Sequence, residues 1–281
     1  MSAPISPDTL ARPLPDLAAW TAHFAHADLP VLASSAEALE ALRANEDAVD
    51  ANVIGEMVAT DPLMTLRVLA YAAAHRSPRL VTDPETVTAA VVLMGITPFF
   101  NAFGPQPTVE ERLRDQPEAL AGLHEVLARA HRAANFAIGF AVHRMDPDAP
   151  MIHLAALLHD FAELLLWCHA PALALAVQAL QRADPALRSS AAQRAVLNIE
   201  LADLQQALMR AWRLPELLTR ISDDRHAEHP SVKSVALAVR LARHSAHGFD
   251  NAALPDDFSD IAELLNLSVG AAGQLVHDID A

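Results

Sequence analysis

The chain predicts an all-α protein of two packed helical bundles, and three observations predict it. Glycine occupies only 8 of 281 positions, well below the ~7% usual in globular chains. Alanine and leucine, both strong helix formers, dominate. Alternating β-branched runs, the period-2 signature of strands, are scarce. Residues 1–15 hold four prolines and read as a disordered head. Short helices then run to Gly104, with starts at Ser35 before AEALEAL, Asp61-Pro62 before LMTLRVLAYAAA, and Asp83-Pro84 before ETVTAAVVLM. A side-chain oxygen at the cap satisfies exposed N–H groups, and proline in the first turn loses no hydrogen bond. In the Asp61 helix Leu63, Leu66, Leu69, Ala70 and Ala73 share one face, which predicts burial. Stops fall at Gly95, Gly104, Asp146-Pro147-Asp148, Pro171 and Gly248.

The polar stretch 105–117 interrupts the apolar period and marks a junction. Longer helices follow over 118–144, 150–169, 170–182, 189–212, 215–226 and 231–247, the 189–212 helix opening at Ser189 or Ser190. A final pair covers 258–265 and 268–279. The expected organisation is a head (1–15), an N-terminal bundle (16–104), the junction (105–117), a second bundle (118–248) and a C-terminal hairpin (249–281).

Twenty Lys and Arg against 35 Asp and Glu give a formal charge of −15, and Lys233 is the sole lysine. Such a chain repels phosphate backbones and anionic lipid, and Arg240 with Arg243 is too small a basic patch to reverse this. Neither nucleic acid nor membrane is therefore an expected partner. Cys168 stands alone, which excludes an internal disulfide or a CxxC site and fits a reducing cytoplasm. The N-terminus lacks the basic-then-apolar pattern of a signal peptide, and no apolar run reaches the ~18 residues of a membrane helix.

The strongest chemical signal is Leu154-Ala155-Ala156-Leu157-Leu158-His159-Asp160-Phe161-Ala162-Glu163-Leu164-Leu165-Leu166, a His-Asp pair inside a near-continuous apolar stretch. A buried carboxylate costs several kcal/mol unless it is paired or bound to a cation. Asp160 thus needs a partner, either a neighbouring helix or a metal.

AALLHDFAELLL resembles the LLHDIGKL-type segment of the HD superfamily, and the N-terminal half is similar to its HDOD branch, the HD-related output domains of bacteria. The residues that carry this are Leu29-Pro30-Val31-Leu32, then the run from Val58 to Leu69 (VATDPLMTLRVL) beside the family's IxxDPxLTxRLL helix. Val87–Gly95 resembles its AIxxLG element, and the run from Ala211 to Leu218 (AWRLPELL) its WxLPxxL turn. Ile221 and His226 follow, where the family often carries a histidine pair. These matches lie in order over about 27–247 and are specific as a set.

The resemblance implies an HD-like helical fold. Catalytic HD members bind metal through an upstream His, the His-Asp pair and a downstream Asp, and the metal acidifies a water that attacks a phosphoester. His131 resembles the upstream ligand, and His159 and Asp160 match the pair. Where the downstream Asp is expected, this chain has Arg243, whose permanent charge repels a divalent ion. The Gly-Lys after the pair is Ala162-Glu163, the Asn-Ser late in the Asp61 helix is Ala73-Ala74, a histidine expected near 201 is Leu201, and no GYP-type segment follows. The HDOD branch is mainly non-catalytic. The resemblance therefore implies a degenerate site of His131, His159, Asp160 and Arg243, with no metal and no cofactor, and Arg243 as the cation that pairs with Asp160.

His226 and His229 flank Glu228 in DDRHAEHP, either as an effector or metal-binding pair or as a solvated loop. His244 and His247 complement a helix C-terminus. Cys168 beside His169 reads as an inert buried thiol. The tail from Ile261 to Ser268 resembles the start of a helix-turn-helix, but its second helix, VGAAGQLVHDID, has no Lys or Arg for phosphates or base edges. The reading that results is a non-catalytic regulatory or scaffold protein of bacterial signal transduction that binds a signalling protein or small effector, as monomer or homo-oligomer. Its rivals are a metal-dependent phosphohydrolase or cyclic-dinucleotide phosphodiesterase, and a DNA-binding regulator.

Overall fold

Alanine- and leucine-rich segments fold as helices throughout the residues described by the structure, 9–75, 84–184 and 186–281, in a computed structural model. The α-helices are α1 (Leu17–Ala25), α2 (Ala33–Arg43), α3 (Ala51–Ala59), α4 (Pro62–Ala74), α5 (Val87–Met94), α6 (Ile96–Ala102), α7 (Val109–Arg112) and α8 (Pro117–His143). Then come α9 (Ala149–Leu157), α10 (Phe161–His169), α11 (Pro171–Ala183), α12 (Ser189–Leu197), α13 (Leu201–Ala211), α14 (Glu216–Ile221), α15 (Pro230–His244), α16 (Leu254–Leu265) and α17 (Val269–Asp280). Short 3-10 turns cover Glu46–Ala48 and Asp224–His226. Among the described residues the only β-pairing is an isolated parallel bridge between Val31 and Thr108. The all-α class expected from composition is what the chain adopts.

The chain divides into two units that interleave along the sequence, 1–126 with 160–214 and 127–159 with 215–281. This differs from the expected succession of bundles at 16–104 and 118–248. The first crossing falls inside α8, a single 27-residue helix, and the second falls between His159 and Asp160.

In the first unit α3, α4 and α5 pack together, α1 lies on α13, and α10 meets α4, α11 and α13. Trp20 and Phe24, one turn apart on α1, stack at 5.7 Å. The Trp20 indole donates to Leu197 O at 2.9 Å, and Trp212 Nε1 donates to Ala25 O at 3.3 Å. Two close approaches require glycine. A Cβ on Gly55 would lie 2.2 Å from Thr88 Oγ1, and one on Gly122 2.5 Å from Trp167 Cη2.

The Asp61-Pro62 start is where the sequence places it. Asp61, fully buried, accepts from Leu63 N and Met64 N at 2.8 and 3.2 Å and from Leu32 N at 2.8 Å, so one carboxylate caps α4 and anchors the start of α2. Burial pushes its pKa up, and these bonds with that of Ser35 oppose the shift. Leu63, Leu66 and Leu69 are buried as the pattern predicts, whereas Ala70 and Ala73, near the end of the helix, are half-buried.

Other starts shift. The helix expected to begin at Ser35 begins at Ala33, because Glu110 of α7 accepts from Ala33 N at 2.9 Å and does the capping from 77 residues away. Ser35 is buried within that first turn. The Asp83 cap lies outside the described residues; α5 starts at Val87, with Thr86 accepting from Ala89 N. The 189–212 helix breaks at Asn198, which adopts φ +65°, into α12 and α13. The 215–226 helix is α14 followed by a 3-10 turn. Of the disordered head expected over 1–15, residues 1–8 lie outside the described residues, while Leu10 N donates to His169 O at 2.8 Å and Leu14 O accepts from Asn198 Nδ2 at 3.0 Å.

In the second unit α15 packs on α9, α14 and α16, and α16 on α17. Asp257, 2% exposed, is met by Arg240 Nε and His244 Nδ1, each at 2.6 Å, which joins α15 to α16. The tail is a helical hairpin. Arg132 of α8 grips Asp280 through Nε and Nη2, both at 2.8 Å, and donates from Nη1 to Ser245 O. Gly139 admits Ile279, whose Cδ1 would lie 2.4 Å from a Cβ at that position.

One apolar stretch exceeds what the sequence reading allows. Within residues 149–169 an 18-residue window has mean hydropathy 1.4, and the stretch is long and apolar enough, by length and composition, to cross a membrane. It is not one helix. A turn over 158–160 separates α9 from α10, and 83% of that 18-residue window is buried within the protein, which is the pattern of core helices.

Candidate functional site

The His-Asp pair forms that turn. Leu158 N still closes on Leu154 O, then the helix stops, and Asp160 O accepts from Glu163 N and Leu164 N to start α10. Asp160 is 8% exposed and its side chain does not cap α10. The four residues of the expected degenerate site divide between the units. His131 on α8, His159 after α9 and Arg243 on α15 belong to the second, and Asp160 to the first.

His159 has a defined partner. Its Nε2 lies 3.2 Å from both carboxylate oxygens of Asp224, with the His159 side chain 10% exposed and that of Asp224 53%. A carboxylate has only acceptor sites, so Nε2 carries the proton and donates. Asp224 opens the 3-10 turn after α14, and the preceding Asp223 accepts from Arg225 N at 3.2 Å. His153 on α9 comes within electrostatic reach of His131: burial pushes its pKa down, and the neighbouring imidazole pushes it further.

His226 and His229 are engaged separately. His226 Nδ1 faces Asp223 at 3.4 Å with the side chain 60% exposed. His229 is the N-cap of α15, its Nδ1 accepting from Ser231 N at 3.3 Å. Cys168 is buried, and burial pushes its thiol up to about 12, so the thiolate a nucleophile needs does not form near neutrality. Its neighbour His169 is locked by Arg112 Nη2 on Nδ1 at 3.0 Å and by Asp28 O on Nε2 at 2.9 Å. Arginine only donates, so Nδ1 accepts and Nε2 carries the proton. Burial and then Arg112 hold this imidazole down at about 4.

Two residues escape the sequence reading. Nothing beside His153 in the apolar run distinguishes it from a packed core histidine. Asp224 reads as one acid in a solvated loop, and its partner is 65 residues away in sequence.

A centre with three or more protein ligands does not fit this donor set. Among the described residues no three His, Cys, Asp or Glu side chains come together in a way that could hold an ion. A catalytic zinc takes three protein ligands in most sites. The Nε2 atom that would face it is committed to a carboxylate.

Helix-only architecture with a His-Asp pair at a helix break defines an HD-like domain. The HDOD domain model matches residues 29–228, and the chain belongs to the HDOD family. Arg243 and the C-terminal hairpin lie beyond the matched stretch. No curated protein matches the chain. Among solved structures it is similar to the MmoQ response regulator of Methylococcus capsulatus str. Bath, with TM-score 0.64, 18% identity, and 90% of this chain and 99% of that one covered. It is also similar to a virulence factor of Campylobacter jejuni subsp. jejuni, with TM-score 0.60, 16% identity, and 94% and 98% covered. At these identities the likeness establishes the shared helical fold.

Proposed function

We propose that this chain is a non-catalytic HDOD regulatory or scaffold protein of bacterial signal transduction, working in the cytoplasm by binding a signalling protein or a small effector. The observation that carries the reading is the commitment of His159 Nε2 to Asp224. It is supported by Arg243 where the catalytic relatives place an acid, because a guanidinium adds positive charge where an ion's charge would have to be offset. The similarity in fold to a response regulator is consistent with a signalling role.

The test is a panel of phosphomonoesters, phosphodiesters and cyclic dinucleotides assayed with manganese, iron or magnesium. The expected result is no turnover above that of His159→Ala. Metal-dependent turnover abolished by His159→Ala overturns the proposal.

A further inference from the structure

We infer that the histidine of the His-Asp pair serves here as a clasp: His159 Nε2–H holds Asp224, and the proton has taken the place a metal would occupy. The inference rests on the non-catalytic reading and assigns that site a positioning role.

One atom, His159 Nε2, decides between proton and metal. Nε2 bonds a metal at ~2.0–2.1 Å through its lone pair, which requires that it carry no proton. The same atom is 3.2 Å from each oxygen of Asp224, within reach of a hydrogen bond that only a protonated Nε2 can donate to a carboxylate. The two uses exclude each other. An ion inserted between ring and carboxylate would have two protein ligands and, among the described residues, no third His, Cys, Asp or Glu to complete a group. A proton on Nε2 satisfies both ring and carboxylate without a third ligand.

The clasp also has something to hold. His159 follows the last turn of α9, and Asp224 opens the turn between α14 and α15. Asp223 and His229 fix the two ends of this turn through backbone N–H groups, but both bonds are local, spanning two residues each. The His159–Asp224 contact spans 65 residues and ties the turn to α9. The turn it steadies presents Arg225 and His226, with side chains 65% and 60% exposed. His159 is thus a positioning residue for an exposed, mixed-charge loop.

Long-range proton–nitrogen NMR on the full chain labelled at histidine nitrogen reads the state of this ring. The expected spectrum has His159 Nε2 protonated, with a proton slow to exchange, unchanged when zinc is added. That protection is lost in Asp224→Ala and restored in Asp224→Asn, whose amide oxygen still accepts. A protected Nε2–H that survives Asp224→Ala, or an unprotonated Nε2 in metal-free protein, overturns the clasp and leaves the non-catalytic reading standing. Zinc bound at Nε2 and weakened tenfold or more by Asp224→Ala makes Asp224 a ligand and overturns both.

Discussion

Acidification should destabilise the first unit through one buried imidazole, His169. The ring is 2% exposed, accepts from Arg112 and donates to Asp28 O, and is held down at about 4 against an ordinary value of 6.5. In the unfolded chain it takes up a proton as pH falls through ~6.5, whereas the folded ring resists until about 4. Between those values the unfolded state binds more protons, so stability falls as pH drops. The full gap is worth roughly 3 kcal/mol, of which about 2 kcal/mol is lost between pH 7 and pH 5. Other groups titrate over the same range, so the comparison is with His169→Gln, which cannot titrate at this position. Urea unfolding followed by tryptophan fluorescence is the assay, since Trp20, Trp167 and Trp212 all belong to this unit. Whatever the gap between wild type and variant at pH 7, it should move by about 2 kcal/mol against the wild type at pH 5. A gap constant to within ~0.5 kcal/mol refutes the argument, because the protonation difference assigned to His169 would then be absent.

Asp61→Ala leaves three N–H groups, those of Leu32, Leu63 and Met64, without their acceptor. At about 1–3 kcal/mol each, and less than additive, a loss of roughly 3–5 kcal/mol is expected in the same unfolding assay, and wild-type stability would contradict it. Gly122→Ala drives a methyl group onto the Trp167 ring and should cost about 1–3 kcal/mol with a shift in tryptophan emission; an unchanged spectrum and melting temperature would show that the ring has room. Arg132→Ala removes the grip on Asp280, so hydrogen exchange should quicken over 269–280 and stay unchanged in α1 to α7. Equal protection in α17 would assign its docking to apolar packing, through Ala272, Val276 and Ile279, rather than to the ion pair.

Features encoded by neighbouring residues were legible in the sequence, and those that depend on distant partners were not. Asp61-Pro62 reads as a helix start because cap and capped N–H groups are adjacent, and Gly95 reads as a stop because its φ of +84° suits glycine. Ser35 misleads because the N–H groups of Leu32 and Ala33 at the start of α2 are met by Asp61 and Glu110, which no local window contains. The break between α9 and α10 is hidden by apolar residues that are buried on both sides of it, so hydropathy alone reads one long helix. At the candidate site, the resemblance to the HD segment singles out His159, but its role depends on Asp224, which lies in a stretch whose composition suggests only a solvated turn. Interleaving of the two units escapes any linear reading, since it arises where α8 continues past Val126, where the chain turns at His159-Asp160 and where it passes from Leu214 to Pro215.

Elemental analysis of protein purified without chelator and then dialysed against manganese, iron and zinc reads whether this HDOD chain holds a catalytic metal. Metal is expected well below one ion per chain, at the same level in His159→Ala. One ion per chain, retained through dialysis and lost on His159→Ala, would contradict it.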